Sequence, residues 1–239
     1  MIGNVAAFGE SGLVSLRRQS GVLPFRIAGR EWSDKYVFES ISLSSDYESL
    51  VVVHAIATEP STQDITDLCR DAILAAMPSG PSSAISFASA AYRNRLRDGG
   101  GPTDACVSAV AIKRAHRGAR VAAVGSLLCY AIEDFSFRAL ALPHITSSGL
   151  LFNYLNSPHY QAVPEERLPW SDEVASSGFA IANRDISSCV SSEEIGPLFA
   201  DANHPGTALD ALEGLCRKRC PNCTPLMAIG EIEPIPRDR

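Results

Sequence analysis

The sequence contains no long apolar run. Its most apolar stretch, residues 50–57, reads Leu-Val-Val-Val-His-Ala-Ile-Ala. That is far short of the roughly 20 residues a spanning helix needs, so no membrane span is expected. The first ten residues lack a basic segment followed by an apolar one, so no secretory leader is expected. Basic residues are outnumbered, 21 against 27 acidic, for a net charge of -6. Nucleic-acid binding rests on clustered Lys and Arg against phosphate and is not expected here. The longest basic cluster, Lys113-Arg114-Ala115-His116-Arg117-Gly118-Ala119-Arg120, reads as a solvated hairpin tip. Also missing are a Gly-x-Ser-x-Gly elbow, a phosphate-binding Walker loop and a dinucleotide fingerprint. Gly99-Gly100-Gly101 does not precede a helix and reads as a turn. There is no internal repeat, low-complexity tract or charged linker.

What is present suits one globular domain over residues 1–239, with 46% hydrophobic residues to build a core. The seven cysteines are odd in number, and Cys69, Cys106, Cys129 and Cys189 stand singly in apolar surroundings. This pattern points to buried free thiols in a reducing compartment, and so to a cytoplasmic protein. Strands are expected at residues 3–20, ending in an Arg17-Arg18-Gln19-Ser20 corner, at 35–43 and, as a β-branched central strand, at 50–57. The period then changes. Ile65, Leu68, Cys69, Ala72, Ile73 and Ala76 recur at helical spacing, predicting a helix over 62–77. A second helix over 82–97 should end at the three glycines. Strands over 106–112 and 120–124 flank the basic turn as a hairpin, and 127–132 and 137–142 are expected to continue it as a meander. Residues 149–170 read as loop, 178–183 as a short strand and 224–232 as the last strand. Helices are expected over 191–198, opened by a capping box, and over 207–217. Strands, two helices, many strands, two helices and a strand make an α+β layered domain.

Several short motifs lie collinearly along this order. Gly12-Leu13-Val14-Ser15-Leu16-Arg17-Arg18-Gln19-Ser20 opens the series, and Leu50 to Val53 lead into His54-Ala55-Ile56-Ala57. Gly100-Gly101-Pro102-Thr103-Asp104-Ala105 precedes the first central hairpin, and Val124-Gly125-Ser126-Leu127-Leu128-Cys129-Tyr130 follows it. Ile181-Ala182-Asn183-Arg184-Asp185-Ile186 comes before Val190-Ser191-Ser192-Glu193-Glu194-Ile195, and Pro221-Asn222-Cys223-Thr224-Pro225 closes the series. Over nearly its whole length the chain resembles the PPM-type, metal-dependent serine/threonine protein phosphatases. That resemblance implies a four-layer α/β/β/α sandwich with two central antiparallel sheets. It also implies that Ser20, His54, Ser126, Arg184 and Pro221 stand at the positions where the family carries metal-binding acids.

The family's mechanism uses two hard divalent cations to position and activate a water for attack on a phosphomonoester. Such ions need oxygen ligands, and a pair needs several carboxylates to offset its charge. Serine and proline bring no charge. Arginine brings the wrong one: at about 4 Å two unit charges interact by roughly 4 kcal/mol at an effective dielectric of 20, and a divalent ion doubles this. The resemblance therefore implies a catalytically inactive pseudophosphatase with no cofactor, acting as a regulatory or binding protein on a phosphoprotein, kinase or other signalling partner. An active phosphohydrolase with rearranged ligands such as His54, Asp104 and Asp185 is the alternative, and a structural subunit of a larger assembly is the third. Arg17, Arg18, His54 and Arg184 are candidates for an anion pocket, since guanidinium suits bidentate phosphate recognition. Cys216, Cys220 and Cys223 are candidates for a zinc or redox cluster, although no local fourth ligand accompanies them.

Overall fold

A computed structural model describes residues 25–32, 35–45, 48–57, 62–115, 118–133, 136–141, 144, 151–168, 177–200, 205–221 and 227–232. The expected strand over 3–20 lies outside the described residues. The chain forms β1 (Phe25–Trp32), β2 (Lys35–Ser45), β3 (Ser49–Ala57), α1 (Thr62–Ala76), a 3-10 turn (Met77–Ser79) and α2 (Pro81–Arg97). Then follow β4 (Cys106–Ala115), β5 (Gly118–Val124), β6 (Leu128–Glu133), β7 (Ser136–Ala141), β8 (Glu166–Leu168) and β9 (Ser177–Ala182). The chain continues through α3 (Arg184–Cys189), α4 (Ser192–Ala200), α5 (Pro205–Arg219) and β10 (Met227–Ile232). One sheet has the order β1-β2-β3-β4-β5-β8 and the other β10-β9-β6-β7. Every pairing is antiparallel.

Side-chain alternation assigns the layers. Val51, Val53, Ala55 and Ala57 of β3 pack with Ile65, Cys69 and Ile73 of α1 and Ala84, Ile85, Ala88 and Tyr92 of α2. The alternate residues Leu50 and Val52 face the other way, joining Val110 and Ile112 of β4, Cys129 and Ala131 of β6, and Phe179 and Ile181 of β9 in a core between the sheets. Beyond the second sheet, Leu128, Tyr130, Ala180 and Ala182 pack with Ile186, Ile195, Leu209 and Leu212 of the three later helices. This is the four-layer α/β/β/α sandwich. It explains why residues 50–53 read as a continuous apolar run: β3 is covered on both faces and has no solvent side to keep polar.

Local chemistry fixes the helix ends. Pro81 takes the first position of α2 behind Gly80, whose φ of 106° is open to glycine. At the other end the Gly100 amide donates to the Arg95 carbonyl at 2.9 Å and the Gly99 amide to the Leu96 carbonyl at 3.1 Å. With Gly99 at φ 73° this is a Schellman closure, as the three glycines suggested. The capping box of α4 is formed in both directions. The Glu194 amide donates to Ser191 Oγ at 3.3 Å, and Glu194 Oε2 accepts from the Ser191 amide at 3.0 Å. Arg219 of α5 then grips the same carboxylate at 2.7 and 3.0 Å, tying the two helices together.

That bidentate arginine, followed by the Ser191 amide, holds the Glu194 carboxyl down at about 2. A depressed carboxyl stabilises the fold above the ordinary glutamate value, and the contribution is lost as pH falls toward the folded value. A carboxyl-detected NMR titration should place the Glu194 midpoint near 2 in the native chain. In Arg219→Ala the midpoint should climb back toward the ordinary glutamate value. An unmoved midpoint would mean that the ion pair is not formed.

One expectation needs correction. The segments over 127–132 and 137–142 do pair with each other as β6 and β7, but they do not continue the β4–β5 sheet. Gly125, at φ 90°, turns the chain out of β5 and across to the second sheet, where β6 pairs with β7 and β9. The strand expected over 50–57 is present: β3 runs through His54 to Ala57, pairing with β2 and β4, because nothing in that sequence breaks a strand.

Candidate functional site

The register of the first sheet lines up a row of polar residues. His54 of β3 faces Ile41 of β2 and Ser108 of β4. One step past the last β4–β5 pair, Ala109 with Val124, Ser108 comes opposite Gly125. His54 and Ser108 share the parity of Leu50, Val52, Val110 and Ile112, so both stand on the face turned toward the second sheet. His54 is 2% exposed and Ser108 1%. Ser126 lies next along the row: Ser108 Oγ accepts from the Ser126 amide at 2.9 Å, and the two hydroxyl oxygens are 3.1 Å apart.

The second sheet closes on the same end. Leu128 of β6 and Met227 of β10 both pair with Ala182 of β9, so Asn183 lies at the level of Leu127. Asn183 is buried and caps α3, its Oδ1 accepting from the Ile186 amide at 3.3 Å. Arg184 opens α3 and is exposed, so salt and solvent screen its charge and weaken the repulsion given above.

His144 braces this end from outside the row. Its Nδ1 accepts from the Gly125 amide at 3.3 Å, and its own amide donates to the Gly125 carbonyl at 2.9 Å. Its carbonyl accepts from the Phe152 amide at 2.9 Å, and its ring stands edge-on to Phe152 with centroids 5.7 Å apart. Burial lowers the His144 pKa below the usual histidine value. Residues 151–168 run onward as a strap over α2. Leu155 is fully buried, its amide donating to the Val107 carbonyl at 2.9 Å, and Ser89 Oγ donates to the Leu155 carbonyl at 2.5 Å. Asn153 pairs through both side-chain atoms with the Gln161 backbone at 3.0 Å. The Glu165 carboxylate meets Arg120 at 3.2 Å.

The structure thus brings His54 and Ser126 together with Ser108, and sets Asn183 and Arg184 at the same end of the sandwich. Ser20, Arg17 and Arg18 lie outside the described residues. Pro221 is exposed just past α5, six residues ahead of β10. Asp104 is exposed in the turn before β4, where its charge bears on Tyr92 and Cys106, and Asp185 is the second residue of α3. Cys216 is buried and Cys220 half-buried; Cys223 lies outside the described residues. Among the described residues no group of three or more His, Cys, Asp or Glu is arranged to hold a metal. The basic cluster is engaged internally: Lys113 Nζ donates to the Met77 and Pro78 carbonyls at 3.1 and 3.0 Å, Arg114 is buried, and Arg120 pairs with Glu165. Two site residues were missed in the sequence. Ser108 carried a signal, a lone hydroxyl in an apolar strand; His144 carried none.

No protein-family model matches the chain, and no curated protein matches it in sequence. Its fold does have solved counterparts. The Mycobacterium tuberculosis serine/threonine phosphatase PstP/Ppp superposes with a TM-score of 0.65 at 11% identity, over 82% of this chain and 92% of that one. A structure of the PstP catalytic domain in complex with two manganese ions gives 0.65 at 12%, over 82% and 91%. The PPM Ser-Thr phosphatase MsPP from Mycobacterium smegmatis, in complex with cacodylate, gives 0.58 at 14%, over 83% and 98%. PppA, a key regulatory component of T6SS in Pseudomonas aeruginosa, gives 0.61 at 11%, over 83% and 98%. With its two stacked antiparallel sheets, its flanking helices and this set of counterparts, the chain has the fold of the PPM-type serine/threonine phosphatases.

Proposed function

We propose that this protein keeps the phosphatase scaffold as a binding platform and does not carry out metal-dependent phosphoester hydrolysis. One observation carries the reading. Among the described residues, this end of the sandwich offers an imidazole, two hydroxyls and an amide in His54, Ser108, Ser126 and Asn183, where a pair of hard divalent cations would need several carboxylates. Those residues do not fit such a pair. His54 and Ser126 flank Ser108 from opposite sides, His54 by strand register and Ser126 by hydrogen bonding, so the row follows from the pairing of β3, β4 and β5. The function left to such a scaffold is recognition in the cytoplasm of a protein partner: a phosphoprotein held without turnover, a kinase, or another subunit of an assembly.

Calorimetric titration of the full chain with manganese tests this, paired with p-nitrophenyl phosphate hydrolysis with and without chelator. We expect no saturable heat up to millimolar manganese and no chelator-sensitive turnover. Saturable binding with chelator-sensitive hydrolysis would overturn the reading in favour of rearranged ligands, and His54→Ala, Asp104→Ala and Asp185→Ala would then identify them.

A further inference from the structure

The Gly125–Ser126 turn is seated by two neutral contacts, one on each side. Toward β4, the Ser126 amide donates to Ser108 Oγ at 2.9 Å. Toward the strap, the Gly125 amide donates to His144 Nδ1 at 3.3 Å, with the His144 amide returning a bond to the Gly125 carbonyl at 2.9 Å. An imidazole can accept at Nδ1 only while that nitrogen carries no proton. We propose that His144 is a proton-operated clamp on this turn: neutral, it holds Gly125 and Ser126 at the cleft end; protonated, it lets them go.

The chemistry is one proton moving from solvent to Nδ1. The nitrogen then becomes a donor facing the Gly125 N–H, two donors oppose each other, and the bond is lost. The turn's glycine backbone, at φ 90°, is free to move once that bond is released. Among the described residues, the titratable and charged groups on the surrounding elements are His54 on β3, Cys106, Lys113 and Arg114 on β4, Tyr154, His159, Tyr160, Glu165, Glu166 and Arg167 in the strap, and Arg184, Asp185 and Cys189 on α3. None of them is among the causes of the His144 shift, which is burial alone. Sign follows from this. The folded state binds the proton less readily than the unfolded one, so the clamp is whole above the ordinary histidine value of about 6.5 and fails as pH falls below it.

Amide hydrogen exchange read by NMR tests it on the full chain, with the Val110 amide of central β4 as internal reference. Between about pH 7.5 and about pH 4.5 the protection factor of Gly125 should fall by about tenfold, the effect of losing roughly one hydrogen bond, while Val110 holds. His144→Phe keeps an aromatic ring against Phe152 and removes the acceptor, so Gly125 should be weakly protected at both pH values. The native chain supplies a second reading that needs no variant: the His144 ring shifts and the Gly125 amide shift should titrate with one midpoint. Unchanged Gly125 protection, a parallel loss at Val110, separate midpoints, or the same pH response surviving in His144→Phe would each overturn the proposal.

Discussion

Gly125→Ala is expected to cost about 3–5 kcal/mol, more than most single substitutions, because it adds strain to overpacking. The backbone at Gly125 sits at φ 90°, a region L side chains rarely adopt. A Cβ built there overlaps Ser108 Oγ and comes within 2.6 Å of its Cβ and 2.8 Å of its Cα. A flexible side-chain end could swing away. The Ser108 Cα cannot, because Ser108 pairs with His54 of β3 and the next residue, Ala109, is paired on both sides in the middle of the six-stranded sheet. For a chain of this size the loss corresponds to a fall in Tm on the order of 10 °C. Gly99→Ala is the control: its φ is 73° but nothing lies within 4 Å of the added carbon, so only backbone strain of about 1 kcal/mol is expected. Urea denaturation of both variants separates the two terms. Equal losses would mean that Ser108 yields and that the turn is not tightly seated on β4.

The parts of the fold that were legible in the sequence are those written in local chemistry. The capping box at Ser191 and Glu194, the glycine stop after α2, the helical spacing of Ile65, Cys69 and Ile73, and the apolar run of β3 each announce themselves within a few residues. The parts that were not legible depend on partners far away in the chain. Nothing local says that β6 leaves the first sheet, since β5 and β6 are separated by a short turn that would serve a hairpin equally well. The six-residue helix α3 is too short to show a period, and β8 has three residues. The strap could be read only as loop, because what orders it is Ser89, Ser82 and Val107 meeting it from 66, 81 and 48 positions earlier. The site divides in the same way. Val124-Gly125-Ser126 was placed correctly at the end of a strand, and its meaning came from the motif. The grouping of His54 with Ser108 and Ser126 needed the register of three strands, and His144 needed a contact across 19 residues.

Tyr92 should prove the most costly side chain to remove from α2. It is fully buried and the largest such side chain among the described residues. It packs among α1, β3 and β4 residues, its ring lies 3.8 Å from where a Cβ on Gly101 would be, and its hydroxyl donates to the Pro102 carbonyl at 3.0 Å. One residue thereby joins α2 to the turn that delivers the chain into β4, with Pro102 standing six residues before Ser108. Tyr92→Ala removes the ring and leaves a cavity, for an expected loss of about 3–5 kcal/mol. Tyr92→Phe keeps the ring and removes only the hydroxyl, for about 1 kcal/mol. The two variants also differ in alkali. Burial raises the Tyr92 pKa above the ordinary phenol value, so its contribution is present below about pH 10 and is lost as pH rises past it. Denaturation midpoints of the native chain should therefore fall more steeply above that pH than those of Tyr92→Phe. If the phenylalanine variant proved as damaged as the alanine one, the hydrogen bond to Pro102 and not the buried ring would be what holds the turn. The cleft end would then rest on a single polar contact, and the loss should appear in exchange at the Ser126 amide before it appears in the core of β4.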